Sequence, residues 1–204
     1  SAFRHGSLQP PWHAAPTGHT AFGKWLAEDA GRRVQFAQFE ATLQRQGVQD
    51  IVPAWTILRA DRDSSARCRV GAFAMPPRNL WPNIVGALKL VRSDVVPAIG
   101  RVEIVSAYRP PALNGCAGGA RQSRHMQFYA LDLVPLEQPD VETSFRKLCK
   151  RWRTAGTGSR WGLGAYYDWT ARLNRHRGRF HVDATGWRTW GYSKHSDSSA
   201  CNRL

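Results

Sequence analysis

Two histidines and one aspartate in this chain have the types and spacing to share a metal ion. His125 and Asp132 lie in the run Ser123-Arg124-His125-Met126-Gln127-Phe128-Tyr129-Ala130-Leu131-Asp132. They are close enough in sequence to meet at one ion if a turn separates them. His181 follows downstream in Arg179-Phe180-His181-Val182-Asp183. Two imidazole nitrogens and one carboxylate oxygen would leave the fourth corner of a tetrahedral Zn²⁺ open to water, which distinguishes a catalytic zinc from a structural one. Such an ion lowers the pKa of water to about 7 and polarises a carbonyl. A nearby carboxylate or imidazole can then move the proton from water to the leaving amine. The chemistry these residues point to is hydrolysis.

The elements that must hold them can be read from periodicity. Arg101 to Tyr108 alternates and is rich in β-branched residues, which predicts a strand that Arg109-Pro110-Pro111 must leave. Residues 114–119 read as a loop. Ala130 to Val134 predicts a second strand, with Leu131 and Leu133 on one face and Ala130, Asp132 and Val134 on the other. A carboxylate on so apolar a strand is costly unless it is paired or metal-bound. Gly162 to Tyr167 and Phe180 to Ala184 predict two more strands. On the last, His181 and Asp183 share a face, so one can bind a metal while the other touches water or an imidazole. His176, five residues before His181, is a further candidate proton acceptor.

Ahead of the strands the pattern is helical. Phe22, Trp25, Leu26, Phe36, Phe39 and Leu43 recur at three- and four-residue steps through residues 21–46. Gly31 is a candidate divider and Gly47 a candidate C-cap. Residues 51–78 read as irregular connection. A helix is predicted from Asn83 to Val96, closed by Pro97 and Gly100, and another over 141–153. The tail from Ser193 reads as polar loop. Helices followed by strands predict an α+β fold, with a small, mainly antiparallel sheet and the N-terminal helical portion packed on it. The expected layout is an extended arm over residues 1–20 and a single domain over 21–204. Within that domain, 21–100 is the helical portion and 101–192 the catalytic core. His5, His13 and His19, in the arm, lack ligand spacing.

Composition narrows the partners. Apolar residues make up 42% of the 204, enough for a core and too many for global disorder. A net charge of +14 calls for an anionic partner, either nucleic acid or bacterial cell wall. Basic residues are dispersed, with mild clusters at 146–153 and 172–179. No helix-turn-helix or zinc-finger spacing is evident, so specific nucleic-acid binding is the weakest reading. No apolar run is long enough to span a membrane. Cys68, Cys116, Cys149 and Cys201 form no C-x-x-C pair. They suit two disulfides in an oxidising compartment, with three pairings open, and Cys201 would tether the polar C-terminal region. The sequence opens at Ser1 without Met, as a processed form or a fragment would.

The ordered combination Tyr108-Arg109-Pro110, Asn114, Ser123-x-His125-x(4)-Ala130-x-Asp132 and Phe180-His181-Val182-Asp183 resembles the zinc D-Ala-D-Ala carboxypeptidase family. Its superfamily includes lysostaphin-type endopeptidases and the hedgehog signalling domain. The resemblance covers roughly residues 100–191. It implies Zn²⁺ on His125, Asp132 and His181, and Arg109 as a fork for a substrate carboxylate. It places Ser123 near substrate or ligand, and it matches Gly162-Leu163-Gly164 and Trp190 to the family's flanking glycine strand and tryptophan. Two positions depart from the pattern. Phe128 stands where the family usually has Gly. Gly178 stands where some relatives carry an acidic base, which leaves Asp183 ahead of His176 for that role. The implied function is a zinc peptidase of peptidoglycan stem or cross-link peptides, of the D,D-carboxypeptidase or endopeptidase type, in the periplasm or secreted. The alternative is a non-catalytic, zinc-containing wall-binding module.

Overall fold

The computed structural model of the chain describes residues 17–62, 64–138, 140–170 and 178–203. Helix α1 spans His19–Ala27 and α2 spans Ala30–Arg45. The break between them falls at Glu28 and Asp29 rather than at Gly31. The Asp29 carboxylate caps α2 by accepting from the Gly31 N–H at 2.7 Å, so Gly31 lies inside the first turn. Gly47 does end α2. It has φ +69°, and the N–H groups of Gly47 and Val48 bond back to Gln44 and Leu43, as a Schellman closure requires. Helix α1 begins inside the stretch expected to be an extended arm. Thr17 is buried and its carbonyl accepts from Arg59 Nε at 2.9 Å. Of the arm's histidines, His19 sits exposed on α1, while His5 and His13 lie outside the described residues.

Residues 51–78 are irregular apart from a 3-10 turn at Ala54–Leu58, but they are not a mere connection. Residues 59–62 run beside strand β1 (Val102–Ser106). Ala107 N–H donates to the Arg59 carbonyl, Arg62 N–H donates to the Val105 carbonyl, and Ser106 Oγ donates to the Ala60 carbonyl at 2.8 Å. Arg59 is fully buried and bonds both Glu103 Oε1 at 2.6 Å and the Ile104 carbonyl at 2.7 Å. That pair ties the N-terminal portion to the sheet and sets the position of Asp61.

The predicted 83–96 helix is longer and less regular than its apolar spacing suggests. A 3-10 segment at Arg78–Ile84 leads into α3 (Val85–Leu90), a π turn at Val91–Val95, and α4 (Val96–Ile99). Pro97 does not end the helix; Gly100 does, at φ +79°. Proline has no N–H for the carbonyl four residues back. Here that carbonyl, on Ser93, accepts instead from Arg151 Nη2 at 3.0 Å. Helix α5 (Pro111–Cys116) replaces part of the expected loop, with Pro111 in the first turn, where its missing N–H does no harm.

Strand β2 covers Ala130–Pro135, α6 Val141–Ala155, β3 Gly162–Ala165, β4 Phe180–Asp183 and β5 Arg188–Trp190. The five strands form one sheet in the order β1-β2-β4-β3-β5. All neighbours are antiparallel except β3 and β5. The fold is α+β. Strand β5 was not foreseen, because three residues between turns carry no usable alternation. Leu131, Leu133, Leu163, Phe180 and Val182 join the same apolar core as Phe22, Phe39 and Leu88 from the helices. The opposite face of the sheet carries Asp132, His181 and Asp183. Disulfides link Cys68 to Cys116 and Cys149 to Cys201, and the second fastens the C-terminal turns to α6.

Phe128 holds φ +59°, the left-handed region that glycine enters freely. Its ring points into the core, fully buried, at 6.1 Å from Phe39 and 6.4 Å from Tyr108. Left-handed strain costs about 1–2 kcal/mol, whereas deleting a buried phenyl ring costs about 3–5 kcal/mol. Packing therefore wins over backbone ease. Phe128→Gly is expected to lower the melting temperature by about 5 °C or more, measured by calorimetry; an unchanged or higher value would show that strain dominates.

Candidate metal centre and cleft

Asp132 and His181 are directly paired across β2 and β4, which brings residues distant in sequence side by side. His125 arrives from a 3-10 turn at Arg124–Gln127. Ser123 caps that turn, its Oγ accepting from the His125 N–H at 3.3 Å. All three are buried. His125 Nε2, His181 Nδ1 and Asp132 Oδ1 form a triangle with sides of 3.2, 3.3 and 3.1 Å. A tetrahedral zinc with bonds of about 2.0–2.1 Å has ligand-to-ligand edges of about 3.3 Å. The triangle therefore fits one face of such an ion.

The hydrogen bonds behind the rings decide what the three atoms present. His125 Nδ1 faces the Ala107 carbonyl at 2.7 Å, and a carbonyl only accepts. Nδ1 thus carries the proton and Nε2 a lone pair. His181 Nε2 faces Asp183 Oδ2 at 2.8 Å, which puts its proton there and a lone pair on Nδ1. Asp132 Oδ1 is buried and accepts no hydrogen bond among the described residues. Three lone-pair atoms in mutual contact repel unless a cation sits among them. Burial pushes the His125 imidazole down to about 4, keeping it neutral. Burial also opposes charge on His181, but the carboxylates of Asp132 and Asp183 on either side of its ring outweigh this and raise its pKa. A proton attracted there meets the same demand for positive charge that a metal ion would.

The other oxygen of Asp132 is occupied. Oδ2 accepts from Arg179 Nη2 at 2.6 Å and from Arg109 Nη2 at 3.0 Å. Burial alone would raise the Asp132 pKa, but His125 and Arg179 hold it well below the usual carboxylate range. Arg109 also approaches Ser106 Oγ at 3.5 Å and Asn114 Oδ1 at 3.4 Å. Asp183 is fully buried with both oxygens engaged. Oδ1 accepts from Thr185 N and Oγ1 and from Arg188 Nη1, and Oδ2 accepts from His181 and from Arg188 Nη2. Burial would raise its pKa too, but His181 and Arg188 drive it far below the usual range. His176 lies outside the described residues.

Close packing behind β4 explains the glycines of β3. Gly164 pairs with His181, and a Cβ there would sit 2.6 Å from Tyr166 Oη and 2.8 Å from His181 Cβ. Gly162 pairs with Asp183, where a Cβ would meet its carboxylate at 2.7 Å. Trp190, on β5, stands edge-on to His181 at 4.9 Å and donates to Tyr166 Oη at 3.1 Å. Burial raises the Tyr166 pKa, so the phenol keeps its proton.

The triangle opens into a cleft of about 780 Å³ lined also by Arg109, Ser123, Tyr166 and Trp190. One wall is the loop before His125, fastened by the Cys68–Cys116 disulfide. The other is the segment after β5, and Lys194 Nζ reaches across to the Gly118 carbonyl at 2.8 Å. Exposed Arg67, Arg124 and Lys194 lie at the mouth, while the acidic lining residues, Asp61 and Asp132, are both buried. The cleft thus presents positive charge to a ligand. Sequence reading passed over Arg179, Arg188, Tyr166 and Asp61. Arg179 and Arg188 flank the His181 segment, a signal that could have flagged the first two.

Because Asp132 and Asp183 titrate below unfolded carboxylates, the unfolded chain takes up protons first as pH falls. Their stabilisation is complete above the ordinary value and is lost on going from about pH 5 towards pH 2. The metal-free protein is expected to lose melting temperature steeply across that window. Arg188→Ala should shallow the slope by letting Asp183 titrate nearer its ordinary value. Calorimetry in the presence of a chelator measures this, and parallel slopes would refute it.

Among the described residues, no helix is long and apolar enough to cross a membrane. No curated protein and no solved structure matches the chain. The family model described as Peptidase M15 matches residues 63–170, more than half the chain, taking in His125 and Asp132 and stopping short of His181. With that match over the larger part of its length, the chain belongs to the peptidase M15 family, whose members are metallopeptidases that include the D-Ala-D-Ala carboxypeptidases.

Proposed function

We propose that this protein is a zinc-dependent peptidase that hydrolyses stem or cross-link peptides of peptidoglycan, as a D,D-carboxypeptidase or an endopeptidase. The observation that carries the reading is the triangle of lone-pair atoms on His125, Asp132 and His181, whose edges suit a zinc ion. Zinc bound there supplies Lewis acidity to a scissile carbonyl and acidifies a water molecule. The remaining chemistry falls to side chains. Ala107 and Asp183 fix the two imidazole tautomers from behind, a task that outer partners of metal ligands commonly perform. Asp183 was the first candidate for the base, but its saturated oxygens suit it better to orienting His181. Proton transfer then passes to His176. Tyr166 lines the cleft beside the triangle, where its phenol oxygen accepts from Trp190 and holds that indole against His181.

Ser123 serves by shaping the turn that presents His125, and Trp190 forms the cleft wall beside His181. Arg109 is buried and bonded to Asp132, so a substrate carboxylate at the mouth meets exposed Arg124 and Lys194 first. Two disulfides fit an oxidising compartment, and we place the protein in the periplasm or outside the cell. A second reading, a zinc-bearing wall-binding module without turnover, draws on one observation: the described cleft offers no unengaged carboxylate for a base.

Purified protein is expected to hold about one zinc per chain and to release product from muropeptides, followed by mass analysis. A chelator and His125→Ala should each abolish metal and product together. Zinc without product on any muropeptide would favour the binding module, and full hydrolysis by His125→Ala would remove the assignment. Asp183→Asn should weaken zinc affinity about 10–100-fold by releasing the His181 tautomer. If instead zinc stays bound, turnover collapses and the acidic limb of the pH profile disappears, Asp183 is the base after all.

A further inference from the structure

Asp61 was not among the candidate site residues, and it lies just outside the segment matched to the family. It lines the cleft beside the metal triangle. It is buried, and Arg179 grips both its oxygens, Nη2 to Oδ2 at 3.0 Å and Nη1 to Oδ1 at 3.4 Å. Arg109 Nη2 reaches the same Oδ2 at 3.4 Å. The same two guanidinium groups hold Asp132 Oδ2. Two arginines and two aspartates thus meet in one buried cluster, in which the carboxylates offset the guanidinium charges.

We propose that Asp61 is a positioning and charge-balancing residue that sets the affinity of the site for a divalent cation. The inference rests on reading His125, Asp132 and His181 as metal ligands. Without Asp61, the two buried cations would lose one of the carboxylates that answer them, and the cluster next to the ion would carry one more unit of positive charge. Charges interact strongly in so buried a place, because little water screens them. The surplus would repel the incoming metal and draw the electron density of Asp132 towards its Oδ2 side. With Asp61 present, each guanidinium has a carboxylate to answer it, and Asp132 can offer Oδ1 undiminished. The backbone bonds of residues 59–62 to β1 deliver Asp61 to this position.

The test is zinc affinity of the metal-free full chain, by competition with a chromogenic chelator. Three variants are compared with the wild type: Asp61→Asn, Arg109→Gln and the double variant. Charge balance predicts that Asp61→Asn weakens zinc about 10–100-fold. Arg109→Gln should bind at least as tightly as the wild type, because Arg179 still holds Asp132. The double variant, which restores the charge balance of the wild type, should recover most of the loss. A merely architectural Asp61 predicts the reverse order, with the double variant worst. Wild-type affinity in Asp61→Asn would overturn the proposal. If Asp61→Asn does not fold, the other two variants decide: near-wild-type binding by both supports it, and equal weakening of both overturns it. Failure of the wild type to take up zinc at all would instead remove the metal reading on which the proposal stands.

Discussion

The site turns on the division of one carboxylate. Asp132 gives one oxygen to two guanidinium groups and the other to two imidazoles. Neither half works alone. The arginines fix the plane of the carboxylate and keep it ionised in a buried setting, where an unpaired carboxylate would be protonated. The imidazoles, each locked by an acceptor behind it, then face an oxygen with no other partner among the described residues. The resulting deficit of positive charge is local, buried and shaped by three elements that the fold holds rigidly.

Rigidity comes from the sheet. Because Asp132 and His181 are opposite residues on adjacent antiparallel strands, their separation is fixed by the ladder and needs no loop. Asp183, two residues on, takes the same face and braces His181 from behind. Gly162 and Gly164 on the next strand leave room for this second layer of side chains. Only His125 comes from a turn. It is secured three times over: by Ser123 at its backbone, by the Ala107 carbonyl at its ring, and through its own carbonyl, which accepts from the Arg109 N–H at 3.1 Å.

Much of this was legible before any coordinates. Strands were expected where β1, β2, β3 and β4 lie, and period-two geometry placed His181 and Asp183 on one face. Asp132 stood out because a carboxylate between Leu131 and Leu133 needs an explanation. What alternation cannot express is what lies opposite a residue. Asp183 was read as a proton acceptor from its position alone, whereas Arg188 and Thr185, which occupy its oxygens, became visible only in three dimensions. Asp61 was hidden for a different reason. It lies in a segment with no period, and its partner Arg179 is 118 positions away. Phe128 shows a third kind of limit. Its backbone angle is one that glycine enters freely, yet its ring is buried in the core, and neither fact can be read from the sequence.

The charge of the chain acquires a location from the same geometry. A net +14 says only that something anionic is favoured. Among the described residues the acids that line the cleft, Asp61 and Asp132, are buried and matched, while Arg67, Arg124 and Lys194 remain exposed around its mouth. A metal ion on the triangle would add two further positive charges at the floor. An approaching peptide that bears carboxylates would be drawn inward along its whole path, from the exposed rim to the buried centre. Arg109 and Arg179 line the same cleft, but their guanidinium groups are turned to the carboxylates of Asp61 and Asp132. The protein thereby separates attraction at the mouth from coordination at the base, and Asp132 is the residue at which the two regions meet.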